Sequence, residues 1–571
     1  MTNMQTSARE EINALIAAAF NRAVQNGELP ELPEGDTLSG AVEVPKDTKN
    51  GDWAATHALA AAKKLGKKPR DIAEALTRNM ELSDTYFDSV SIAGPGFINL
   101  VLSQKWYTDV MDAVERGGDS YGSSEVGAGK RVMVEFVSAN PTGPMTIGNA
   151  RGGVLGDALA SVLSRAGYDV WREFYVNDTG NQVDLFGKSI SARYMQLILG
   201  ENAVEFPEEG YHGDDIRELA QLIFDKEGDA LSAQDARSEQ EREDYCAEFA
   251  LPHNTALMKK HLERYRINFD EWFFESALHD SGYVDETVKL LTDNGLTYEK
   301  DGALWLSNME LGADKDEVLR RSNGFYTYYA VDIAYHRNKF VKRGFDRVID
   351  VWGADHHGHA VRFASTMAAP ALGINADKLT FLIMQMVRMT RDGELIKVSK
   401  RTGRAMSLND LLDEVSVDAC RFFFNAKPDN HLEFDLGLAV RQDSENPVYY
   451  VQYAHARICS LIAALGEESF GLKNIAAIDC ALLNGEPERE LIKQLSCLPD
   501  EIEGAARELD PSRINRYVIE VATRFHKFYN SCRIKGEEEN VLSARLALAS
   551  LTKTVIANCL DIVGVSAPER M

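Results

Sequence analysis

The sequence predicts an α/β protein in three parts: an α+β unit at residues 1–122, a parallel-sheet domain at 123–440 and an α-helical bundle at 441–571. A chain of 571 residues is longer than one hydrophobic core organises. Between 123 and 440, short β-rich runs alternate with helical patterns, which calls for a parallel sheet with right-handed crossovers. Beyond 440 such runs stop, and Val448, Val451, Ala454, Ile458 and Leu461 recur at helical spacing.

The opening stretch, MTNMQTSAREEINALIAAAF, carries Glu10 and Glu11 and no basic lead, so it reads as a mature amphipathic helix and not a targeting signal. Further on, Lys63, Lys64, Lys67, Lys68 and Arg70 concentrate positive charge. A solvated helix end with its turn accounts for them, since lysine suits the helix C-terminus; a phosphate-contacting patch accounts for them too.

In the central domain, Val132, Val134 and Phe136 alternate around Met133, Glu135 and Val137, a mostly buried strand. Asn140-Pro141-Thr142-Gly143-Pro144 breaks it, and an apolar helical pattern starts from Gly148. Strand, tight loop and helix N-terminus gather free N–H groups and the positive end of a helix dipole at one point, which suits a phosphate. Plain connections of this shape are also common. A second strand at 169–176 runs into a loop at 177–182, and both loops fall at carboxyl ends of strands, where ligands of such sheets sit. Residues 195–300 are acidic, with helical periodicity around Leu219, Leu222 and Ile223, and read as an insertion between two halves of the sheet. The second half resumes at 318–329. Asp332 follows on a helix, a strand at 347–352 ends in Gly353-Ala354-Asp355-His356-His357-Gly358-His359, and a third strand at 380–387 leads to Lys397-Val398-Ser399-Lys400-Arg401.

Composition excludes some classes of function. No apolar run approaches the ~18 residues of a membrane span. The 7 cysteines include no CxxC pair, which argues against a disulfide framework or a structural zinc and fits buried thiols in a reducing cytoplasm. The net charge of -26 does not exclude nucleic acid, because phosphate attraction depends on the local field.

Four groups of residues carry candidate chemistry. Lys397, Ser399, Lys400 and Arg401 follow the Asp392-Gly393 turn; a mobile loop so charged can close on a triphosphate and neutralise departing pyrophosphate, although a solvated basic turn shows the same pattern. The histidines at 356–359 cluster with Asp355, but nothing completes a tetrahedral metal set. Glu135 and Asp332 come from opposite halves of the sheet, with Tyr328 one helical turn before Asp332. Two carboxylates converging on one pocket call for a cation between them, and a guanidinium fits bidentately; pairing with a lysine or arginine of the protein is the alternative. Tyr453 and Arg457 lie one turn apart, a stacking platform for an unstacked base or a core tyrosine with a snorkelling arginine.

VEFVSANPTGPMTIGNARGG resembles the first signature of class I aminoacyl-tRNA synthetases, in its arginyl version, and KVSKR resembles the second signature, Lys-Met-Ser-Lys-Ser. GDWAATHALAAAKKLGKKPRDIAEAL with IAGPGFINLVLS is similar to the N-terminal domain of arginyl-tRNA synthetases, which leans on the tRNA elbow. RSNGFYTYYAVDIAYH…FDRVIDVWGADHHGH is similar to their catalytic domain, and the stretch from Asp418 to the ending APERM to their anticodon-binding domain.

The resemblance implies a class I Rossmann-type parallel-sheet catalytic domain with an N-terminal α+β domain and a C-terminal α-helical bundle. It implies an arginine–tRNA ligase that uses ATP, accompanied by Mg²⁺ and without a structural metal, and that acts as a cytoplasmic monomer with no membrane contact and with bound tRNA needed for activation. By the same resemblance Thr146, Gly148, Asn149, Lys397, Ser399 and Lys400 are catalytic; Pro141, Gly143, Gly353, Asp355 and His359 border ATP; Glu135, Asn140, Tyr328, Asp332 and His356 hold L-arginine; and Tyr453 and Arg457 bind tRNA. A pocket that pairs a guanidinium rejects lysine without editing.

One departure stands out. The family carries His-Ile-Gly-His where this chain has Thr146-Ile147-Gly148-Asn149. A hydroxyl and an amide still donate hydrogen bonds but carry no charge. The expectation is an active enzyme, because the other elements are all present. The alternatives are a degenerate tRNA-binding paralogue and a class I synthetase for another amino acid.

Overall fold

The computed structural model describes residues 3–33, 35–232, 238–396, 406–465 and 475–571. Lys397, Ser399 and Lys400 lie outside the described residues.

The first helix, Met4–Gln25, buries Met4, Ala8, Ile12, Ile16, Ala19 and Ala23, a stripe repeating every three to four residues. It packs against helices Pro69–Arg78 and Gln104–Gly117 beside a four-stranded antiparallel sheet. Helix His57–Leu65 ends on Gly66 in the left-handed region, and Pro69 opens the next helix. The lysine cluster therefore lies exposed on a helix end and turn. This unit is fastened to the distant end of the chain: Gln5 Nε2 donates to Ser496 at 2.7 Å, and Lys493 pairs with Asp52 at 2.5 Å.

The central sheet has five parallel strands: β1 (Arg131–Glu135), β2 (Asp169–Val176), β3 (Glu271–Phe274), β4 (Arg347–Gly353) and β5 (Leu379–Met384). They lie in the order β5-β4-β1-β2-β3. The chain adds strands first on one side of β1 and then on the other, which opens a crevice between β1 and β4 at their carboxyl ends. Helix α1 (Ile147–Arg165) crosses β1 closely, since a Cβ on Gly156 would stand 2.1 Å from Phe136 Cγ.

Three sequence expectations change. Strand β3 lies inside the stretch read as insertion, where four residues in an acidic surround give too short a run to signal a strand. The rest of that stretch includes Asp214–Glu227 and α3 (Glu239–Arg264), which pack with α2 (Asn181–Leu199), a helix that begins before the stretch, around Phe186, Ile190, Tyr194, Ile216, Leu219 and Ile223. The segment at 318–329 does not resume the parallel sheet. Glu317–Arg320 joins Thr297–Lys300 and Ala303–Leu306 in a small antiparallel sheet, and the second half begins with α4 (Tyr328–Arg337). Finally, the strand expected to reach 387 stops at Met384. Buried Arg151 takes the Gln385 carbonyl at 2.6 Å and those of Lys427 and Asn430 at 3.1 and 3.0 Å, which draws Gln385 out of the ladder. Val387–Arg391 then pairs in a separate sheet.

After β4 comes α5 (His357–Met367), and α6 (Pro447–Leu465) opens the C-terminal helices, burying Val448, Val451, Ala454 and Ile458. All seven cysteines are free. Among the described residues no helix is long and apolar enough to cross a membrane.

Candidate active site

Strand β1 ends at Glu135, and the backbone turns sharply through Val137 at φ 71° and Ser138 at φ 36°. A left-handed β-branched residue costs roughly 1–3 kcal/mol, a strain that concentrates where a loop must be aimed. The loop beyond holds Pro141, whose carbonyl accepts from Asn254 Nδ2 at 2.9 Å, and half-buried Gly143. It delivers Thr146 as the cap of α1. Thr146 Oγ1 accepts the Asn149 backbone N–H at 3.3 Å, while Asn149 Oδ1 accepts both the Thr146 N–H and the Thr146 hydroxyl. The expectation for Thr146 is corrected: its hydroxyl hydrogen is used inside the capping box. The Asn149 amide nitrogen makes no hydrogen bond among the described residues. Gly148, between them, is exposed at the helix start, so N–H groups of the first turn face outward. Leu408 N–H donates to the Met145 carbonyl at 2.8 Å, and Ser407 bridges Thr146. Residues 406–408, where the described chain resumes, thus run beside the N-terminus of α1.

Next to this loop, beyond the carboxyl ends of the strands, lies a cavity of about 880 Å³ lined among others by Asn140, Thr179, Gln182, Glu275, Tyr328 and His356. Glu275 is 8% exposed and accepts from Tyr175 Oη at 2.6 Å and Thr179 Oγ1 at 2.7 Å. Burial, and then the charge of Asp332, push its carboxyl up from the ordinary value. Asp332 lies one turn beyond Tyr328 on α4 and faces His359 Nε2 at 3.1 Å. Within 4 Å, each of these two carboxylates has an imidazole, His279 at 3.8 Å or His359, and neither has a lysine or arginine of the described residues.

Glu135 is different. It is 6% exposed, its Oε2 lies 2.5 Å from Lys339 Nζ, and its Oε1 accepts from Ser138 Oγ at 2.8 Å. The expectation that Glu135 and Asp332 form the pair around a substrate cation is therefore corrected: the protein's own ammonium occupies Glu135, and Glu275 is the carboxylate beside Asp332. Glu275, Thr179 and Gln182 escaped the sequence reading. Glu275 follows a four-residue strand hidden in an acidic stretch, and only the loop containing the other two was singled out.

Of the other expected residues, Asn140, Tyr328 and His356 meet at the cavity, and the Asn140 amide donates to Gln182 Oε1. Gly353 ends β4, and the Asp355 side chain is open to solvent. His359, expected beside the nucleotide, packs among Tyr328, Tyr329, Trp352 and Phe363 and is spent on Asp332. On α6, away from the sheet, Arg457 donates to Tyr453 Oη at 2.9 Å and its guanidinium lies 4.7 Å from the ring centroid, with Tyr453 37% exposed.

The chain matches three family models: the N-terminal domain of arginyl-tRNA synthetases at residues 10–102, the catalytic domain of class I tRNA synthetases (R) at 114–442, and the DALR anticodon-binding domain at 451–571. An arginine–tRNA ligase of Acetivibrio thermocellus is 51% identical over 572 residues, spanning 100% of both chains. The chain belongs to the arginyl-tRNA synthetase family. A second arginine–tRNA ligase, from Caldanaerobacter subterraneus, is 50% identical over the full length of both. In fold, this arginyl-tRNA synthetase family member resembles the Thermus thermophilus arginyl-tRNA synthetase, with a TM-score of 0.71, 21% identity and coverage of 99% of this chain and 100% of that one. The central sheet with its two loops is thus the class I catalytic domain, and the protein is an aminoacyl-tRNA ligase that uses ATP.

Proposed function

We propose that the protein joins L-arginine to its tRNA through arginyl-adenylate, and that the cavity beside α1 is the arginine pocket. The observation that carries this is the pair of carboxylates, Glu275 in the cavity wall and Asp332 near enough for its charge to raise Glu275, neither of which has a lysine or arginine within 4 Å among the described residues. A substrate guanidinium supplies the missing positive charge and can bridge both. Tyr328 caps the head group, Asn140 and Gln182 orient the main-chain end, and His356 closes the mouth.

ATP lies across the crevice between β1 and β4. Its phosphates meet the N-terminus of α1 around Gly148 and the loop at Pro141 and Gly143, with Gly353 and Asp355 on the adenosine side. The arginine carboxylate attacks the α-phosphorus in line and pyrophosphate leaves. The helix terminus and the Asn149 amide stabilise the charge that develops, and Lys397 and Lys400 neutralise the departing group, with Ser399 between them. Mg²⁺ arrives with the nucleotide phosphates. The adenylate then passes arginine to the 3′-terminal ribose of tRNA, whose elbow rests on the N-terminal unit and whose anticodon stacks on Tyr453 and Arg457. The protein acts as a cytoplasmic monomer, and sedimentation of the full chain checks the oligomeric part.

ATP–pyrophosphate exchange with each amino acid, with and without tRNA, tests the reading. Exchange with arginine alone, dependent on tRNA, is expected. Exchange with another amino acid overturns the substrate, and tRNA binding without exchange overturns catalysis.

A further inference from the structure

The parallel register sets Asp350 beside Glu135, Glu135 beside Glu173, and Glu173 beside Glu271. Four carboxylates therefore stand in a row on β4, β1, β2 and β3. Three of them, Asp350, Glu135 and Glu173, are 0%, 6% and 0% exposed. A row of this kind is untenable without cations, and those found among the described residues come from one segment. Lys339 Nζ, itself 0% exposed, lies 2.8 Å from Asp350 and 2.5 Å from Glu135. Arg343 takes Glu173 and, at 3.0 Å, Glu271. His336 faces Asp350 through Nε2 at 2.8 Å and the Asp332 carbonyl through Nδ1 at 2.8 Å, and Tyr335 donates to Glu173 at 2.5 Å. This segment is the last turn of α4 and its direct continuation, and the first turns of α4 carry Tyr328 and Asp332.

Glu135 is the junction. One oxygen takes Lys339 and the other takes Ser138, the second left-handed residue of the turn that launches the nucleotide loop. Burial alone pushes the Lys339 ammonium down, but Asp350 and Glu135 outweigh it and keep the proton on.

We propose that Lys339 is a positioning residue for the reaction: it locks the strained turn at the head of the nucleotide loop to the helix that carries Asp332. The arginine-reading helix and the phosphate-binding loop belong to different halves of the sheet, and attack on the α-phosphorus needs both in register. The charge row supplies that register from below. The inference rests on the reading above for the roles of Asp332 and of the loop that meets the phosphates.

The test is tRNA-supplemented ATP–pyrophosphate exchange with the full chain. K339M is expected to lower kcat about 10²-fold, the cost of a misplaced reactant, and to leave the KM for arginine near the parent value. S138A cuts the same linkage at the turn, so it lowers kcat as well, and K339M/S138A falls no further than K339M. Parent-like kcat in K339M, a loss confined to the arginine KM, or losses that multiply in the double variant overturn the proposal. If K339M does not fold, E135Q/K339M removes the unmatched charge; the same kcat loss with the arginine KM held supports the proposal, and parent-like kcat overturns it. D332N probes the arginine reading through KM, so the two readings fail on different parameters.

Discussion

Asn149 Oδ1 accepts two hydrogen bonds from Thr146, one from the backbone N–H and one from the hydroxyl, each at 2.9 Å. The cap uses up the oxygen of the amide and leaves its nitrogen as the donor. Where other class I enzymes present two imidazoles, this chain has a self-contained helix cap with one outward amide. Asn149→Ala should slow adenylate formation by ~10²–10³-fold, the effect of losing one transition-state donor, with tRNA affinity nearly unchanged. Pyrophosphate exchange alongside a filter-binding titration of tRNA measures both, and undiminished exchange ends the donor role for Asn149.

The carboxylate pair makes a sharper distinction. Asp332→Asn and Glu275→Gln should each raise the KM for arginine by about 10–100-fold, equivalent to losing a charged hydrogen bond of ~1.5–3 kcal/mol. Glu135→Gln should leave that KM close to the parent, since Glu135 is satisfied by Lys339 and Ser138. If Glu135→Gln moves the arginine KM as far as Glu275→Gln does, Glu275 has been misassigned.

Protonation of Glu275 gives a pH signature. Burial, then Asp332, raise its carboxyl above the usual range, so it gains a proton at a higher pH than an ordinary glutamate. The proton removes one negative partner of the guanidinium. The KM for arginine should therefore climb as pH falls through the raised value and flatten as pH rises above it. The pH profile of Glu275→Gln should lack this limb.

On α6 the Arg457–Tyr453 contact leaves the tyrosine ring partly exposed. Tyr453→Ala should weaken tRNA by ~1–3 kcal/mol, the worth of stacking one base, while tRNA-saturated exchange keeps its arginine KM. A tRNA titration at fixed arginine settles it, and an unchanged KM for tRNA would remove the platform.

Packing yields a prediction free of substrates. Gly156→Ala places a methyl against Phe136, with the backbone of α1 and the strand behind it. Overpacking of this kind costs roughly 1–3 kcal/mol, and thermal unfolding should shift down accordingly. A melting curve superposable on the parent would mean that α1 and β1 separate more easily than their packing implies.

The sequence by itself determined the backbone plan. The strand, loop and helix start at 131–153, the order of α+β unit, sheet domain and bundle, and the one-turn spacing of Tyr453 and Arg457 are all local patterns, set by side-chain periodicity and by prolines and glycines that permit one geometry. The tertiary structure alone decided which acid is already paired with a cation of the protein. Glu135 and Glu275 each end or follow a strand of one sheet, and nothing local tells them apart. Lys339, 204 residues from Glu135, meets its carboxylate under the sheet, whereas among the described residues Glu275 receives hydroxyls and a distant imidazole. Whether a buried charge is already paired depends on neighbours brought by the fold, because electrostatic partners act through space and carry no sequence period.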